Sequence, residues 1–372
     1  MATKKKNGVT HGLGKAIVTV VNGKTDLNTK IFPGAEEDYR PSSRRWSAMP
    51  SVIVCGKNIF VAWQTGGTTE DDRNYFAVAA SADGGASWID PFIIIDPVEN
   101  PTATSVLVPI FYYNHAGDLW LTWHQTAVGY CGVKLLNAGG GLGDISFEGP
   151  FTLKEGIPPA CTKPTLLSDG RILYMGGNET ITRLYVSEND GMSVRLLAEI
   201  PSSYPSAKVC TDATVIEKRD GTLWFLSRLE GGKNGGIEQS FSRDGGLTWT
   251  PTQADLPEPL RGPGSRFAMR RLQSGALLLV NNASVAGGYA GRVMMTAYLS
   301  YDDGATWPYS LLLDKTVTAY PDFYQAPDGK IYIAFEKGRY KENGIRLCVV
   351  TEDDIKAGAF VSKAALDVSI VK

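Results

Sequence analysis

The chain has 372 residues, 43% hydrophobic and 20% charged, which is enough apolar material for a sizeable core. A net charge of −2 supplies no basic stripe and so disfavours nucleic acid as a partner. The longest apolar runs (AIVTVV, FIIID, ALLLV) are strand-sized, too short for a membrane-spanning helix.

The opening MATKKKNGVTHG carries Lys4–Lys6 with no apolar stretch behind it, so no signal peptide is visible. Residues 1–12 read as a disordered tail and 13–372 as one domain. The reading is cytoplasmic, or periplasmic or secreted if a leader has been removed. Two strand candidates follow, KAIVTVV (15–21) and TKIF (29–32). Then β-rich runs are joined in pairs by short turns carrying Gly56, Gly117, Gly170, Gly221, Gly275 and Gly329. The intervals are 61, 53, 51, 54 and 54 residues, the length of a four-stranded antiparallel unit. The pattern predicts an all-β protein, a β-propeller of six or seven blades. The terminal strands, LDVSIV (366–371) included, either close the sixth blade or build a seventh between them, and seven is preferred. The five cysteines show no metal spacing and read as reduced core thiols, with no cofactor implied.

Three octapeptides fit S-x-D-x-G-x-[ST]-W: SADGGASW at Ser81–Trp88, SRDGGLTW at Ser242–Trp249 and SYDDGATW at Ser300–Trp307. A weaker copy, SENDGMSV, occupies Ser187–Val194, with Asp190 and Gly191 read as one place late. The Asp side chain can fold onto turn amides, a Gly can take the positive φ, and the Trp can pack into the sheet. This signature resembles the Asp-box, or BNR, repeat of the sialidase superfamily of β-propellers. In that resemblance the boxes are structural staples on outer hairpins.

Aligning the turn glycines predicts which side chains converge. Nine residues before each Gly stand Ser47, Val108, Cys161, Asp212, Arg266 and Tyr320; seven after stand Trp63, His124, Gly177, Arg228, Asn282 and Glu336. Charged groups around one opening need partners or a ligand. The superfamily resemblance implies arginines that hold a sugar carboxylate, a Tyr nucleophile with an adjacent carboxylate, and an Asp acid/base. Here it assigns Arg228 and Arg292 to the arginines, Tyr320 to the nucleophile, Asp212 to its carboxylate partner and Asp71 or Asp72 to the acid/base. The family's first arginine falls on Ala48-Met49-Pro50 and is missing, with Arg44 and Arg45 just upstream. Arg266, Glu336 and Lys163 join the candidate substrate-binding set, and Trp46 and Trp63 are candidates for a sugar-stacking platform. Glu336 has a structural reading too, as the partner of Arg228 or Arg339.

The strings RRWSAMPSV, SRFAMRRLQSGALLLV, YPDFYQAPDGKIYIAFEKGRY and VTEDDIKAG are similar to a sialidase-like branch that includes rhamnosyl-glucuronate hydrolases and lyases. The resulting expectation is a monomeric exo-glycosidase that removes a terminal acidic sugar from a glycan. One alternative is a lyase using His124 as base, kept neutral by a nearby Arg228, together with Tyr320 and Arg228/Arg292. The other is a non-catalytic glycan-binding propeller.

Overall fold

The computed structural model describes residues 20–21, 30–32, 39–70, 74–96, 106–125, 129–155, 162–177, 180–202, 204, 208–230, 236–254, 256–284 and 289–371. The expected tail over 1–12, and Asp71 and Asp72, lie outside them. The chain divides into two compact units, Met1–Gly156 and Ile157–Lys372.

The first unit holds two antiparallel sheets. One orders Ser47–Cys55, Asn58–Thr65, Tyr75–Ser81 and Ile89–Asp96; the other orders Val106–Tyr113, Leu119–Gln125, Gly129–Asn137 and Ile145–Glu155. Strands such as Asn58–Thr65 are buried on both faces, so they read as continuous apolar runs rather than alternating ones. The sheets pack through Phe60 against Phe111 and Phe76 against Trp123, with ring centroids 6.4 Å apart in both pairs. Such pairs add about 0.5–1.5 kcal/mol each beyond the area they bury. The backbone of Phe111 also donates to Ser51 Oγ at 3.0 Å.

The second unit continues the pattern. Thr165–Leu166, Ile172–Gly177, Ile181–Ser187 and Arg195–Pro201 form a third sheet, and Lys208–Glu217, Leu223–Glu230 and Ile237–Ser242 a fourth. A seven-stranded sheet runs from Ala268–Arg271 to Leu366–Val371. It is two hairpin units joined by one 17-residue strand, Tyr309–Gln325. The first half of that strand pairs with Val293–Ser300 and the second half with Ile331–Lys337. Apolar side chains fill each gap between neighbouring sheets: Leu173, Leu184 and Val215 in one, Leu226, Phe267 and Leu279 in the next, Leu278, Phe323 and Ile333 in the last.

All six predicted turn glycines have positive φ, between 59° and 90°. Val20–Val21 runs parallel to Ile145–Glu155, Lys30–Phe32 antiparallel to Ile89–Asp96, and Leu366–Val371 antiparallel to Gly344–Val350. Among the described residues each of these strands extends an existing sheet.

The octapeptides fold as expected. In the first, Asp83 accepts from Ser81 Oγ, Ser87 N and Ser87 Oγ, while Ser81 Oγ accepts from Gly85 N and Trp88 Nε1 donates to Gly85 O. These bonds hold Asp83, Asp244 and Asp302 well below the usual carboxylate range, each at about 2. The fourth copy needs a correction. Asn189 takes the Asp seat, accepting from Ser187 Oγ and Ser193 N at 3.0 Å each, and Gly191 is in register with its N–H on Ser187 Oγ. An amide oxygen offers the same acceptor geometry without the charge. Cys55, Cys131 and Cys348 are free thiols, with Cys131 pushed up to about 12 by burial.

Candidate functional site

Tyr320 stands where the ladder breaks. Ala319 pairs with Glu336 and Asp322 with Ala334, which leaves Tyr320-Pro321 opposite Phe335 alone. A proline has no N–H to give a ladder, and a bulge tolerates it while turning the preceding side chain out of alternation. Tyr320 adopts φ +53°, a strained choice for a large side chain. The same step occurs at Met49-Pro50 and Val108-Pro109, with φ +57° and +52°, opposite Trp63 and Trp123. The glycine alignment misplaces the first of these. The Gly56 hairpin closes tightly, Cys55 against Asn58, so Met49 rather than Ser47 is the counterpart of Tyr320.

Around Tyr320 the second unit gathers four guanidinium groups. Arg228, Arg266, Arg292 and Arg339 lie 5.7, 5.5, 5.2 and 4.5 Å from the ring centroid, each within cation–π range. Arg228 Nη1 donates to Tyr320 Oη at 2.8 Å and to Asp212 Oδ2 at 2.7 Å. Arg266 donates to the Tyr320 carbonyl at 3.2 Å. Burial raises the Tyr320 phenol above its ordinary range and the Asp212 carboxylate adds to that rise. The charges of Arg228, Arg339 and Arg292 oppose it.

One layer along the same strand, Asp322 accepts from Lys163 Nζ at 2.5 Å and from Arg270 Nη1 at 3.4 Å. Burial pushes the Asp322 carboxyl up, but Lys163, Arg270 and Arg266 together bring it below the usual range. Burial lowers Lys163 to about 8 against the pull of Asp322. Glu336 is gripped by Arg339 through Nε and Nη2 at 2.9 and 2.8 Å. It takes its structural reading, as a salt bridge. Asn282 is structural as well, donating to Val293 O and Thr318 O.

The structure therefore brings together Tyr320, Asp212, Arg228, Arg266, Arg292, Glu336 and Lys163, all in the second unit. Sequence reasoning did not assign a site role to Arg339, Asp322 or Arg270. Asp322 lies two residues past Tyr320, but the bulge between them breaks the alternation that would relate the two. Arg339 lies past a strand end, where alternation says nothing.

Two expectations that fall on the first unit, for the Trp46 and Trp63 pair and for His124, need correction. Trp46 and Trp63 are both 0% exposed and offer no face to a sugar. Arg44 is committed to Asp90, its Nη1 donating to both carboxylate oxygens at 2.7 and 2.9 Å, with its guanidinium over Trp63. His124 is lowered to about 4, and burial is the cause.

Residues 57–333 match the BNR repeat-like domain. The chain is 30% identical over 128 residues to a sialidase of Vibrio cholerae serotype O1, which covers 31% of this chain and 16% of that protein. The chain thus spans less than a fifth of that relative's length. Among solved structures it is similar to the Hadza microbial sialidase Hz136, with TM-score 0.61 and 16% identity over 80% of this chain and 64% of that one. It is also similar to a leech intramolecular trans-sialidase complexed with 2,7-anhydro-Neu5Ac, with TM-score 0.62 and 12% identity over 89% and 71% of the two chains. Its four-stranded antiparallel units, its Asp boxes and the match over most of its length place this chain in the BNR repeat-like family of sialidase-type β-propellers.

Proposed function

We propose that this protein is a sialidase-like exo-glycosidase that releases a terminal acidic sugar from a glycan, with Tyr320 as its nucleophile. The observation that carries the reading is the single Arg228 nitrogen shared between the Tyr320 phenol and the Asp212 carboxylate. A guanidinium donating to Oη stabilises the phenolate that forms as the proton leaves. Asp212, held on the same nitrogen, is the carboxylate that this reading assigns to take that proton.

Oη then bonds to the anomeric carbon as the bond from that carbon to the glycosidic oxygen breaks. Asp71 or Asp72 is assigned to protonate the departing oxygen. In a second step water attacks the anomeric carbon and gives its proton to the carboxylate that had acted as acid; the bond to Tyr320 Oη breaks, and Asp212 returns its proton to the phenolate. Arg292, with Arg266 and Arg339 beside it, supplies positive charge for the sugar carboxylate. Sialidases among the relatives support the choice of an acidic sugar.

The test is a fluorogenic sialoside and a rhamnosyl-glucuronate oligosaccharide offered to the wild type and to Tyr320→Phe. Turnover of either by the wild type alone, with a fluorosugar adduct on Tyr320 by mass spectrometry, is expected. Full activity in Tyr320→Phe would overturn the assignment.

A further inference from the structure

The second unit carries a cleft of about 610 Å3 that the Tyr320 cluster does not use. It is lined by Lys218, Asp220, Thr222, Phe241, Arg243 and Trp249, with two further threonines at its edge. Its floor is aromatic and rigidly held. Phe241 stacks on Trp224 with centroids 6.2 Å apart and planes 9° from parallel. Trp249 is pinned by its Nε1–H on Gly246 O at 3.0 Å and by an edge contact with Phe225 at 5.9 Å. Phe241 and Trp249 nonetheless remain half-buried, so part of each ring is open.

The rim is polar and charged. Lys218 Nζ lies 5.5 Å and 5.9 Å from the Trp224 and Phe241 ring centroids. Asp220 accepts from Thr222 N at 2.9 Å, and the charges of Lys218 and Arg243 help to hold its carboxyl below the usual range. Arg243 itself is exposed. Preorganised aromatic faces beside one carboxylate and two cations suit a sugar. The rings take its C–H face, the carboxylate accepts from its hydroxyls, and the surplus cation favours an acidic residue.

We infer that this cleft is an accessory binding site for an acidic glycan, separate from the Tyr320 cluster; the choice of ligand rests on the function proposed above. The two places lie at opposite ends of one hairpin. Arg228 pairs with Ile237, whereas the cleft opens at the Leu223–Ser242 end. Five residues of strand separate these pairs, roughly 17 Å. A polymer held at the cleft would raise the local concentration of chain ends without touching the reacting bond. The Asp244 box keeps its stapling role, and its Trp249 also forms part of the wall of the site.

The experiment is affinity electrophoresis of the Tyr320→Phe protein in gels containing polysialic acid, polygalacturonate or neutral dextran. That background keeps binding readable whether or not the protein is a glycosidase. Retardation is expected in a polyanion gel and not in dextran. Arg243→Ala and Phe241→Leu should each weaken it by about threefold or more, the size of one cation or aromatic contact. Arg195→Ala, which removes an exposed charge paired with Glu188 elsewhere in the same unit, should leave it unchanged. Retardation absent from both polyanion gels, equal in dextran, or weakened as much by Arg195→Ala would overturn the proposal. Circular dichroism checks that Phe241→Leu folds; Arg243→Ala, on an exposed side chain, decides the question by itself.

Discussion

Lys163 Nζ lies 2.5 Å from Asp322 Oδ2, and both side chains are only 5% exposed. This ion pair lies two residues along the strand from Tyr320 and supports the bulge that aims it. Removing Asp322 takes the carboxylate from a buried ammonium, which costs about 3–5 kcal/mol, whereas removing Lys163 costs less because Arg270 still pairs with Asp322. Asp322→Asn should lower the urea midpoint by the larger amount and Lys163→Met by the smaller. The double variant should lose less than the sum of the two, a coupling that a double-mutant cycle reads directly.

The shared Arg228 nitrogen predicts a graded loss of activity. Arg228→Lys keeps a charge but not the planar fork that reaches Tyr320 and Asp212 together. On an acidic glycoside kcat should fall by about 100-fold or more, comparable to removing a donor from a charge-stabilising site. Asp212→Asn should fall by a similar factor through loss of the proton acceptor. A kcat within threefold of wild type in both variants would detach this pair from the reaction.

His124 predicts an acid-side instability. Its folded pKa of about 4 lies below the unfolded value of 6.5, so the unfolded chain binds more protons between these two values. The contribution to stability is therefore complete above about pH 6.5 and fades as pH falls towards 4, by about 3 kcal/mol. His124→Gln should flatten that part of the stability–pH curve. An unchanged slope between pH 6.5 and 4 would contradict a buried, neutral imidazole.

The Asp boxes titrate in a lower window. Asp83, Asp244 and Asp302 are depressed to about 2 from 3.8, so the stability they contribute is present above 3.8 and lost as pH falls through 2. Asp244→Asn copies the fourth box, where Asn189 does the same work uncharged. It should retain the fold at pH 7 while removing part of the acid sensitivity below pH 4, as followed by thermal melts.

The repeated units were legible because each is specified locally. A Gly in the turn and an octapeptide beyond the third strand of several units recur at a constant interval, and turn chemistry acts over a few residues. Tyr320, Arg228 and Asp212 were legible for the same reason, each lying at a fixed offset from its own turn. What the sequence obscured was register. The tight Gly56 turn shifts its inner strand, and no local signal distinguishes a two-residue closure from a longer one. Nor could alternation show that Trp46 and Trp63 turn wholly inward, because strands buried on both faces carry apolar residues at every position.

Strand Tyr309–Gln325 belongs to two hairpin units at once, and no loop interrupts its 17 residues between the outer edge of one and the inner edge of the next. Mechanical slack in a protein resides in its loops, and here the connection to Tyr320 has none. Displacing the phenol along the strand would require both ladders to slip in concert, which register forbids. The nucleophile candidate is therefore stiff by construction. Any adjustment to a substrate falls to the guanidinium side chains that surround it, and to the turn after Lys337 that carries Arg339.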